Sequence, residues 1–205
     1  MARRDIHPDD LDFYPTPPFV TRALMSFALY GDEWRSTHAW DPACGTGDMA
    51  HPLQEYFGKV SASDLVDRGF GFQHDFLKDD NPAIGEVDWI ITNPPFSASE
   101  PFVRKALSIA KIGIAMLLRT MWLEGKSRYY LFREHPPESL WQFSGRVPLV
   151  RGKIDFSVPS AMAVCWIVWR KGHTGKPTIN WLPPECKTLL TYPGDEHNDL
   201  HTAKP

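Results

Sequence analysis

The segment His38-Ala39-Trp40-Asp41-Pro42-Ala43-Cys44-Gly45-Thr46-Gly47 decides the fold of this chain. Its first three residues have the pattern of a short strand, and the glycines near its end permit a tight turn. Residues 48–57 then have the apolar spacing of a helix. A strand, a glycine-containing turn and a helix in this order are typical of a doubly wound α/β sheet, where a nucleotide-like ligand lies at the turn.

The ligand of this turn is expected to be a nucleoside rather than a bare phosphate. No Gly-Lys-Ser/Thr sequence follows the glycines, which excludes a phosphate-binding loop, and the third glycine of the dinucleotide fingerprint is missing. Asp64 ends the next predicted strand, where a carboxylate can accept hydrogen bonds from both hydroxyls of a ribose. An ordinary acidic turn at Asp64 is the alternative.

Strands and helices alternate on both sides of the glycine turn. A helix is expected over residues 19–29, with Thr16 as its cap and Pro17 in its first turn. Further strands are predicted at residues 59–63, 87–92, 112–118, 140–143 and 161–169, a further helix at 99–110, and a loop at 144–160. The alternation predicts a mostly parallel sheet that an antiparallel pair closes.

The composition fits one globular domain. The chain has 205 residues, of which 42% are hydrophobic, and we expect a single domain over residues 1–175 and a peripheral tail over 176–205. No apolar run reaches the length of a membrane span, and no secretory signal follows the first residues, so no membrane partner is expected. Three separated cysteines, Cys44, Cys165 and Cys186, fit a reducing cytoplasm better than a disulfide or zinc framework.

Charge is distributed unevenly along the chain. Residues 1–103 contain seven Lys or Arg against seventeen Asp or Glu, whereas residues 104–176 contain thirteen against four. The net charge of −3 therefore conceals a basic region, and binding of a polyanion requires local rather than overall positive charge. The basic region predicts a nucleic-acid partner; a basic face without a partner is the alternative.

The sequence Asn93-Pro94-Pro95-Phe96 follows a predicted strand at the edge where open α/β sheets bind ligands. Its prolines restrict the backbone and remove donors, which leaves carbonyl acceptors, and Asn93 adds a side-chain carbonyl. The lone pair of an exocyclic amine is delocalised into its ring, and two acceptors that hold the amine hydrogens favour a pyramidal nitrogen. The turn therefore predicts a site for a flat ring that carries an amino group and stacks on Phe96; a merely stiff turn is the alternative.

Together, these segments resemble the amino-methyltransferase family that acts on DNA adenine. Residues 41–47 are similar to the cofactor loop of that family, and residues 93–96 are similar to its catalytic motif. Residues 12–17, Asp-Phe-Tyr-Pro-Thr-Pro, resemble the segment that closes over the methionine part of the cofactor, and Asp75-Phe76 resembles the pair near its adenine. The resemblance covers most of residues 12–169 and is strongest to short chains of phage or prophage type.

The resemblance implies a Rossmann-like class I methyltransferase fold, with a mostly parallel seven-stranded sheet and an antiparallel closing hairpin. It implies S-adenosylmethionine as cofactor, S-adenosylhomocysteine as product, no metal, and methyl transfer to the 6-amino group of a flipped-out adenine in DNA. The catalytic residues that it implies are Asn93, Pro94, Pro95 and Phe96. The cofactor-binding residues that it implies are Phe13, Tyr14, Thr16, Asp41, Ala43, Cys44, Gly45, Gly47, Asp64, Asp75 and Phe76.

The chain departs from the family in two ways. A long target-recognition domain is missing, so we expect a short recognition sequence or nearly none. The second aromatic residue that stacks on the base is expected in the loop after Phe143, where either Leu149 or Phe156 occupies its place. Basic residues in the spare segments are expected to contact DNA phosphates: Arg119, Lys126, Arg128, Arg133, Arg146, Arg151 and Lys153. The oligomeric state stays open, and the expected location is the cytoplasm of a bacterial or phage-infected cell.

Several alternatives share parts of this pattern. Methyltransferases that act on RNA adenine, on a release-factor glutamine or on a cytosine amine use a similar turn, although the last two usually have Tyr in place of Phe96 or Ser in place of Asn93, respectively. A non-catalytic subunit that binds the cofactor or DNA is the alternative from another class, and the intact sequence of residues 93–96 disfavours it. His197 and His201 have a helical spacing that could bind metal, but no third ligand accompanies them.

Overall fold

The computed structural model describes residues 12–31, 34–78, 84–157 and 162–195. The strands in these ranges are β1 (His38–Asp41), β2 (Lys59–Asp64), β3 (Phe72–Gln73), β4 (Trp89–Thr92), β5 (Gly113–Arg119), β6 (Ser139–Phe143), β7 (Leu149–Val150), β8 (Lys153–Ile154), β9 (Val164–Arg170) and β10 (Thr178–Leu182). The first six, with β9 and β10, form one sheet in the order β10-β6-β9-β5-β4-β1-β2-β3. Neighbouring strands are parallel except where β9 lies between β5 and β6.

Helices cover both faces of this sheet. They are α1 (Pro18–Ala23), continued by a π-helical turn at Leu24–Ala28, α2 (Ala50–Gln54), α3 (Ser99–Ile109), α4 (Lys126–Glu134) and α5 (Cys186–Leu190). The prediction that Thr16 caps α1 is wrong, because Pro17 occupies the capping position and no side chain caps this helix. A proline in the first turn has no N–H that needs a partner, so α1 can begin without a capping side chain.

The core is divided by the sheet, as the strand sequences require. Side chains alternate between the faces of a strand, so Trp89 and Ile91 of β4 pack with α1 while Ile90 packs with α3 on the other face. Every residue of β1 and β4 is buried, together with nearly all of β5. Such continuous burial is typical of central strands that are covered on both faces.

The strand order reverses between β4 and β1, and this reversal places the site. β2 leaves β1 in one direction and β4 pairs with it on the other side, so the segments after β1, β2 and β4 emerge at one edge of the sheet. Such a switch point leaves a crevice outside the carboxyl ends of the strands. The segments 41–47 and 93–96 meet at this crevice.

Two parts of the chain differ from their expected form. The expected loop at 144–160 contains the β7–β8 hairpin. The expected tail contributes β10, which pairs along five residues with β6 and makes the sheet eight-stranded rather than seven-stranded. Its α5 packs near α1, and Leu182 and Cys186 are buried in the core. Residues 178–195 are therefore part of the packed structure, and 196–205, with His197 and His201, lie outside the described residues.

Arg22 fastens this C-terminal segment to α1. Its guanidinium is buried, donates to the carboxylates of Glu55 and Asp195 and to the carbonyl of Leu190, and lies 3.9 Å from the ring centroid of Tyr192. Burial opposes the charge, but the two carboxylates outweigh it and raise the pKa of Arg22. The arginine therefore stays charged, and residues 190–195 are held by hydrogen bonds as well as by apolar contact.

Candidate active site

The turn after β1 requires glycine at two positions. Gly45 and Gly47 have φ angles of +54° and +91°, and a Cβ on Gly45 would lie 2.5 Å from the ring of Phe13. A Cβ on Gly47 would lie 2.7 Å from the ring of Phe70. Both the backbone conformation and the close approach of aromatic rings exclude larger residues here.

Asp64 holds the glycine turn against the end of β2. One of its carboxylate oxygens accepts a hydrogen bond from the N–H of Gly45 at 2.8 Å, and the other accepts from the N–H of Val66 at 3.0 Å. Each carboxylate oxygen can accept more than one hydrogen bond, so lone pairs stay available on a half-buried carboxylate that lines the crevice. This is the position that the sequence predicts for an acceptor of ribose hydroxyls.

Asp41 links the glycine turn to the end of β4. Its buried carboxylate accepts hydrogen bonds from the hydroxyl of Thr92 at 2.7 Å and from the N–H of Ala43 at 3.2 Å. Burial raises the pKa of Asp41 to about 7, although these two hydrogen bonds oppose the rise. Asp41 thus connects the turn of residues 41–47 with Thr92, the residue that directly precedes Asn93.

A cleft lies along these turns. It is lined by ten of the eleven residues expected to bind a cofactor, and Gly47 is the exception. Five further polar lining residues were not among the predicted binding residues: Asp12, Asp48, Arg68, His74 and Ser97. Asp12 belongs to the segment 12–17 that resembles the closing segment of the family, and Asp48 and Ser97 directly follow the segments 41–47 and 93–96. Nothing in the sequence marks Arg68 or His74.

The charge of this cleft is predominantly negative. Its lining includes five acids and one arginine, namely Asp12, Asp41, Asp48, Asp64, Asp75 and Arg68. Its apolar part includes Phe76, which is buried and packs edge-on against Trp40. A cleft of this kind favours a ligand with an apolar ring and a positive charge over a phosphate-bearing ligand.

Cys44 lies in this cleft but is not a candidate nucleophile. Burial raises the pKa of its thiol, and the neighbouring charges of Asp41 and Asp64 raise it further. A thiol that stays protonated is a weak nucleophile, so its role in the turn is packing.

The N-terminal segment crosses the Asn93-Pro94-Pro95-Phe96 turn. The carboxylate of Asp12 accepts from the N–H of Ser97 at 3.0 Å, and the ring centroids of Tyr14 and Phe96 are 5.1 Å apart. The side-chain nitrogen of Asn93 donates to the carbonyl of Tyr14 at 3.0 Å and to the hydroxyl of Thr16 at 3.1 Å. These contacts fix the turn from the side of the N-terminal segment.

These bonds determine which way the Asn93 amide faces. The carbonyl of Tyr14 can only accept, so it must receive an N–H of the amide. The side-chain carbonyl oxygen of Asn93 can therefore accept a hydrogen bond from a ligand, and Asn93 lines the cleft. Pro95 accepts a hydrogen bond from Ala98, whereas no donor within the described residues reaches the carbonyl of Pro94. The turn therefore presents two acceptors, the Asn93 side chain and the Pro94 backbone.

Phe96 faces a second cavity on the far side of this turn. Asn93 and Pro95 line the first cleft, whereas Phe96 lines the second cavity with Ser99, Leu118, Arg119, Met121, Trp122, Glu124, Gly125 and Arg128. The guanidinium carbon of Arg119 lies 3.8 Å from the centroid of the Phe96 ring. The Asn-Pro-Pro-Phe turn is therefore the wall between two cavities.

Neither residue expected as a second stacking surface reaches this cavity. Leu149 is buried in the core, and the ring of Phe156 packs 6.2 Å from that of Phe19. Neither lines the cavity beside Phe96. Both are part of the packing around α1, because the β7–β8 hairpin turns back onto that helix.

The expected DNA-contacting residues fall into separate groups. Arg119 and Arg128 line the second cavity, and Arg128 donates to the carbonyls of Trp122 and Glu124. Arg151 and Lys153 flank Gly152, whose N–H donates to the carbonyl of Phe13 beside the first cleft. Lys126, Arg133 and Arg146 are exposed. Within the described residues, no cluster of three or more His, Cys, Asp or Glu could hold a metal.

Comparisons with known proteins agree with this architecture. No family model and no curated protein sequence matches the chain. It is similar in structure to the methyltransferase subunit of a type I restriction-modification system from Streptococcus thermophilus, with a TM-score of 0.62 and 16% identity over 80% of this chain and 46% of that one. The chain thus spans about half of the length of that subunit.

Two shorter neighbours act on RNA or adenosine by name. One is a candidate RNA methyltransferase from Pyrococcus horikoshii, with a TM-score of 0.60 and 16% identity over 78% of this chain and 88% of that one. The other is a dimethyladenosine transferase from Plasmodium falciparum, with a TM-score of 0.53 and 16% identity over 78% of this chain and 64% of that one. The expected fold is confirmed: the chain has the Rossmann-like α/β fold of class I methyltransferases. No helix in the described residues is long and apolar enough to cross a membrane.

Proposed function

We propose that this chain transfers a methyl group from S-adenosylmethionine to the 6-amino group of adenine in DNA. The observation that carries this proposal is the fixed orientation of Asn93, whose amide nitrogen is held by Tyr14 and Thr16. Its carbonyl oxygen and that of Pro94 can then accept the two hydrogens of an amine. The names of the structural neighbours, a methyltransferase subunit of a restriction-modification system, an RNA methyltransferase and a dimethyladenosine transferase, support the same class of reaction.

The first cleft fits S-adenosylmethionine in shape and charge. Asp64 lies where ribose hydroxyls would be bound, Phe76 provides an apolar surface for an adenine ring, and the segment 12–16 lies over the crevice. The acids of the cleft suit a ligand that carries a sulfonium and an ammonium group. When bound, S-adenosylmethionine supplies an electrophilic methyl group.

The residues of this chain then act by positioning. Asn93 and Pro94 hold the amine hydrogens, which directs the nitrogen lone pair away from the conjugated ring, and Phe96 stacks on the base. The amine itself is the nucleophile, so no covalent intermediate with the enzyme forms. Positioned acceptors and correct orientation are then the main sources of rate enhancement.

The proposal is tested by methyl transfer from radioactive S-adenosylmethionine to DNA, to RNA and to protein in parallel. We expect label in DNA and loss of that label in the Asn93→Ala variant, with cofactor affinity retained in a calorimetric titration. Label mainly in RNA would support the RNA alternative, which agrees with the name of the Pyrococcus horikoshii neighbour. Cofactor binding without transfer to any acceptor would support a non-catalytic subunit.

A further inference from the structure

Arg119 has an unusual place among the basic residues of this chain. It ends β5, beside β4, and its guanidinium carbon lies 3.8 Å from the centroid of the Phe96 ring. Its Nε atom is buried without a hydrogen-bond partner. Across the described residues, no acceptor or acid is bound by its side chain. Its principal contact is therefore the face of an aromatic ring.

Other cations near the two cavities are held by polar groups. Arg128 donates to two backbone carbonyls, and Lys153 pairs with Asp155 at 2.8 Å. Such bonds fix a side chain in one place. Arg119, by contrast, can move off Phe96 without breaking a hydrogen bond or an ion pair, and the cavity beside it is open to solvent at Met121 and Gly125.

We propose that Arg119 is the second stacking surface of the acceptor pocket, so that the target base inserts between the Phe96 ring and the Arg119 guanidinium. A guanidinium is planar, and it stacks on aromatic rings and on bases alike. In the structure, Arg119 covers the ring face that a base would use. This assignment fills the place that neither Leu149 nor Phe156 can fill, and it rests on the proposed function.

Steady-state methyl transfer to single-stranded DNA tests this role. The probe is an oligonucleotide with one adenine in a pyrimidine sequence of randomised order. Arg119→Ala should raise the KM for this DNA about tenfold, the size of effect expected when one stacking surface is lost, with a much smaller change in kcat. The KM of Arg119→Lys should also stay raised, because lysine keeps the positive charge but lacks the planar guanidinium group. Cofactor affinity and thermal stability should stay at their wild-type values in both variants.

Lys176→Ala is the matched control. This substitution also removes one positive charge, but Lys176 is exposed and precedes β10 at the edge of the sheet away from both cavities. It should leave the KM unchanged. Full recovery of the KM by Arg119→Lys would overturn the proposal in favour of a simple phosphate contact. A lower KM in Arg119→Ala would overturn it in favour of an obstructing residue. An unchanged KM would reject the Arg119 assignment alone, whereas a wild-type enzyme that never methylates adenine would reject the proposed function as well.

Discussion

The side-chain nitrogen of Asn93 donates a hydrogen bond to the backbone carbonyl of Tyr14 across 79 residues of sequence. The bond joins the turn after β4 to the segment that precedes α1. Because the acceptor is a carbonyl, it fixes the amide orientation as well as the position of the side chain. The N-terminal segment therefore has two functions: it covers the cleft, and it orients the side-chain carbonyl of Asn93, which is the proposed acceptor of an amine hydrogen.

Substitution of Asn93 should separate catalysis from cofactor binding. Asn93→Ala removes the acceptor, and Asn93→Asp places a carboxylate against the carbonyl of Tyr14, which repels it. We expect both variants to lose roughly a hundredfold or more in kcat, the usual cost of removing a positioned polar group. Calorimetric titration should give nearly normal cofactor affinity for Asn93→Ala. Turnover close to wild type in either variant would remove Asn93 from the catalytic assignment.

Substitution of Asp64 should have the opposite effect. Asp64→Ala removes the acceptor of the Gly45 N–H and the proposed partner of the ribose. We expect cofactor affinity to fall about tenfold or more, since hydrogen bonds to charged groups contribute roughly 1.5–3 kcal/mol. Asp67→Ala is a control in the same loop, because that residue is exposed and bonds only to the nearby Gly69 N–H among the contacts described for it. Equal affinities for all three proteins would show that the ribose assignment is wrong.

The raised pKa of Asp41, about 7, predicts a pH dependence of folding stability. The folded state holds a proton that the unfolded state has lost above its ordinary pKa of about 4. The free energy of unfolding should therefore decrease as pH rises from about 4 to about 7 and then level off. Asp41→Asn should flatten this dependence and stabilise the protein at pH 8 by roughly 1–4 kcal/mol, as measured by urea denaturation. If the free energy of unfolding of Asp41→Asn depends on pH as it does in the wild type, a group other than Asp41 is responsible for that dependence.

The position of Phe96 in the wall of the proposed acceptor pocket predicts a preference for unpaired adenine. A base must leave the duplex stack before it can reach Phe96, and this costs less at a mismatch or in a single strand. Initial rates on matched oligonucleotides should therefore be at least as high for mismatched or single-stranded adenine as for paired adenine. A strict requirement for perfectly paired duplex would instead indicate recognition through a groove.

The basic hairpin next to the cleft predicts a salt-dependent affinity for DNA. Replacing both Arg151 and Lys153 by Ala should weaken binding about equally on all sequences and reduce the slope of log affinity against log salt, because fewer counterions are released. Lys111→Ala with Lys176→Ala is the control, since Lys111 precedes β5 and Lys176 precedes β10, at the amino ends of these strands and away from the carboxyl ends that border the first cleft. Identical slopes for the two double variants would mean that the hairpin only packs over the cleft.

Sequence specificity should be low, because little of the chain is available to reach base edges. Single-molecule sequencing of DNA from a host without its own adenine methylation would display the methylated sites. We expect a short motif or nearly none. A sharp motif of six or more base pairs would reveal a recognition surface that the account lacks.

The parts of the site that lie next to strand ends could be predicted from the sequence. Residues 41–47 and 93–96 follow apolar runs of strand length, so their place at the carboxyl edge of the sheet follows from the alternation of strands and helices. Asp64 could be placed because it follows the strand pattern of residues 59–63, although most of β2 is only half-buried. Local sequence carries this information most clearly at β4, whose residues are all buried and form a mostly apolar run.

Contacts between distant segments could not be predicted in this way. Thr16 has the local pattern of a helix cap, but its hydroxyl accepts from Asn93, 77 residues away. Arg119 was expected to contact phosphate, and its stacking on Phe96 depends on the pairing of β4 with β5. β10 is an edge strand with an exposed Trp181 and Ile179, so its pattern of burial differs from that of a core strand.

The most direct test of the central claim is to identify the methylated nucleoside. DNA is incubated with the enzyme and S-adenosylmethionine that carries a deuterated methyl group, digested, and analysed by mass spectrometry, with Asn93→Ala in parallel. We expect deuterated N6-methyladenine in the wild-type reaction and at least a hundredfold less in the variant. Label on cytosine, label on no nucleoside, or equal label from the variant would contradict this expectation.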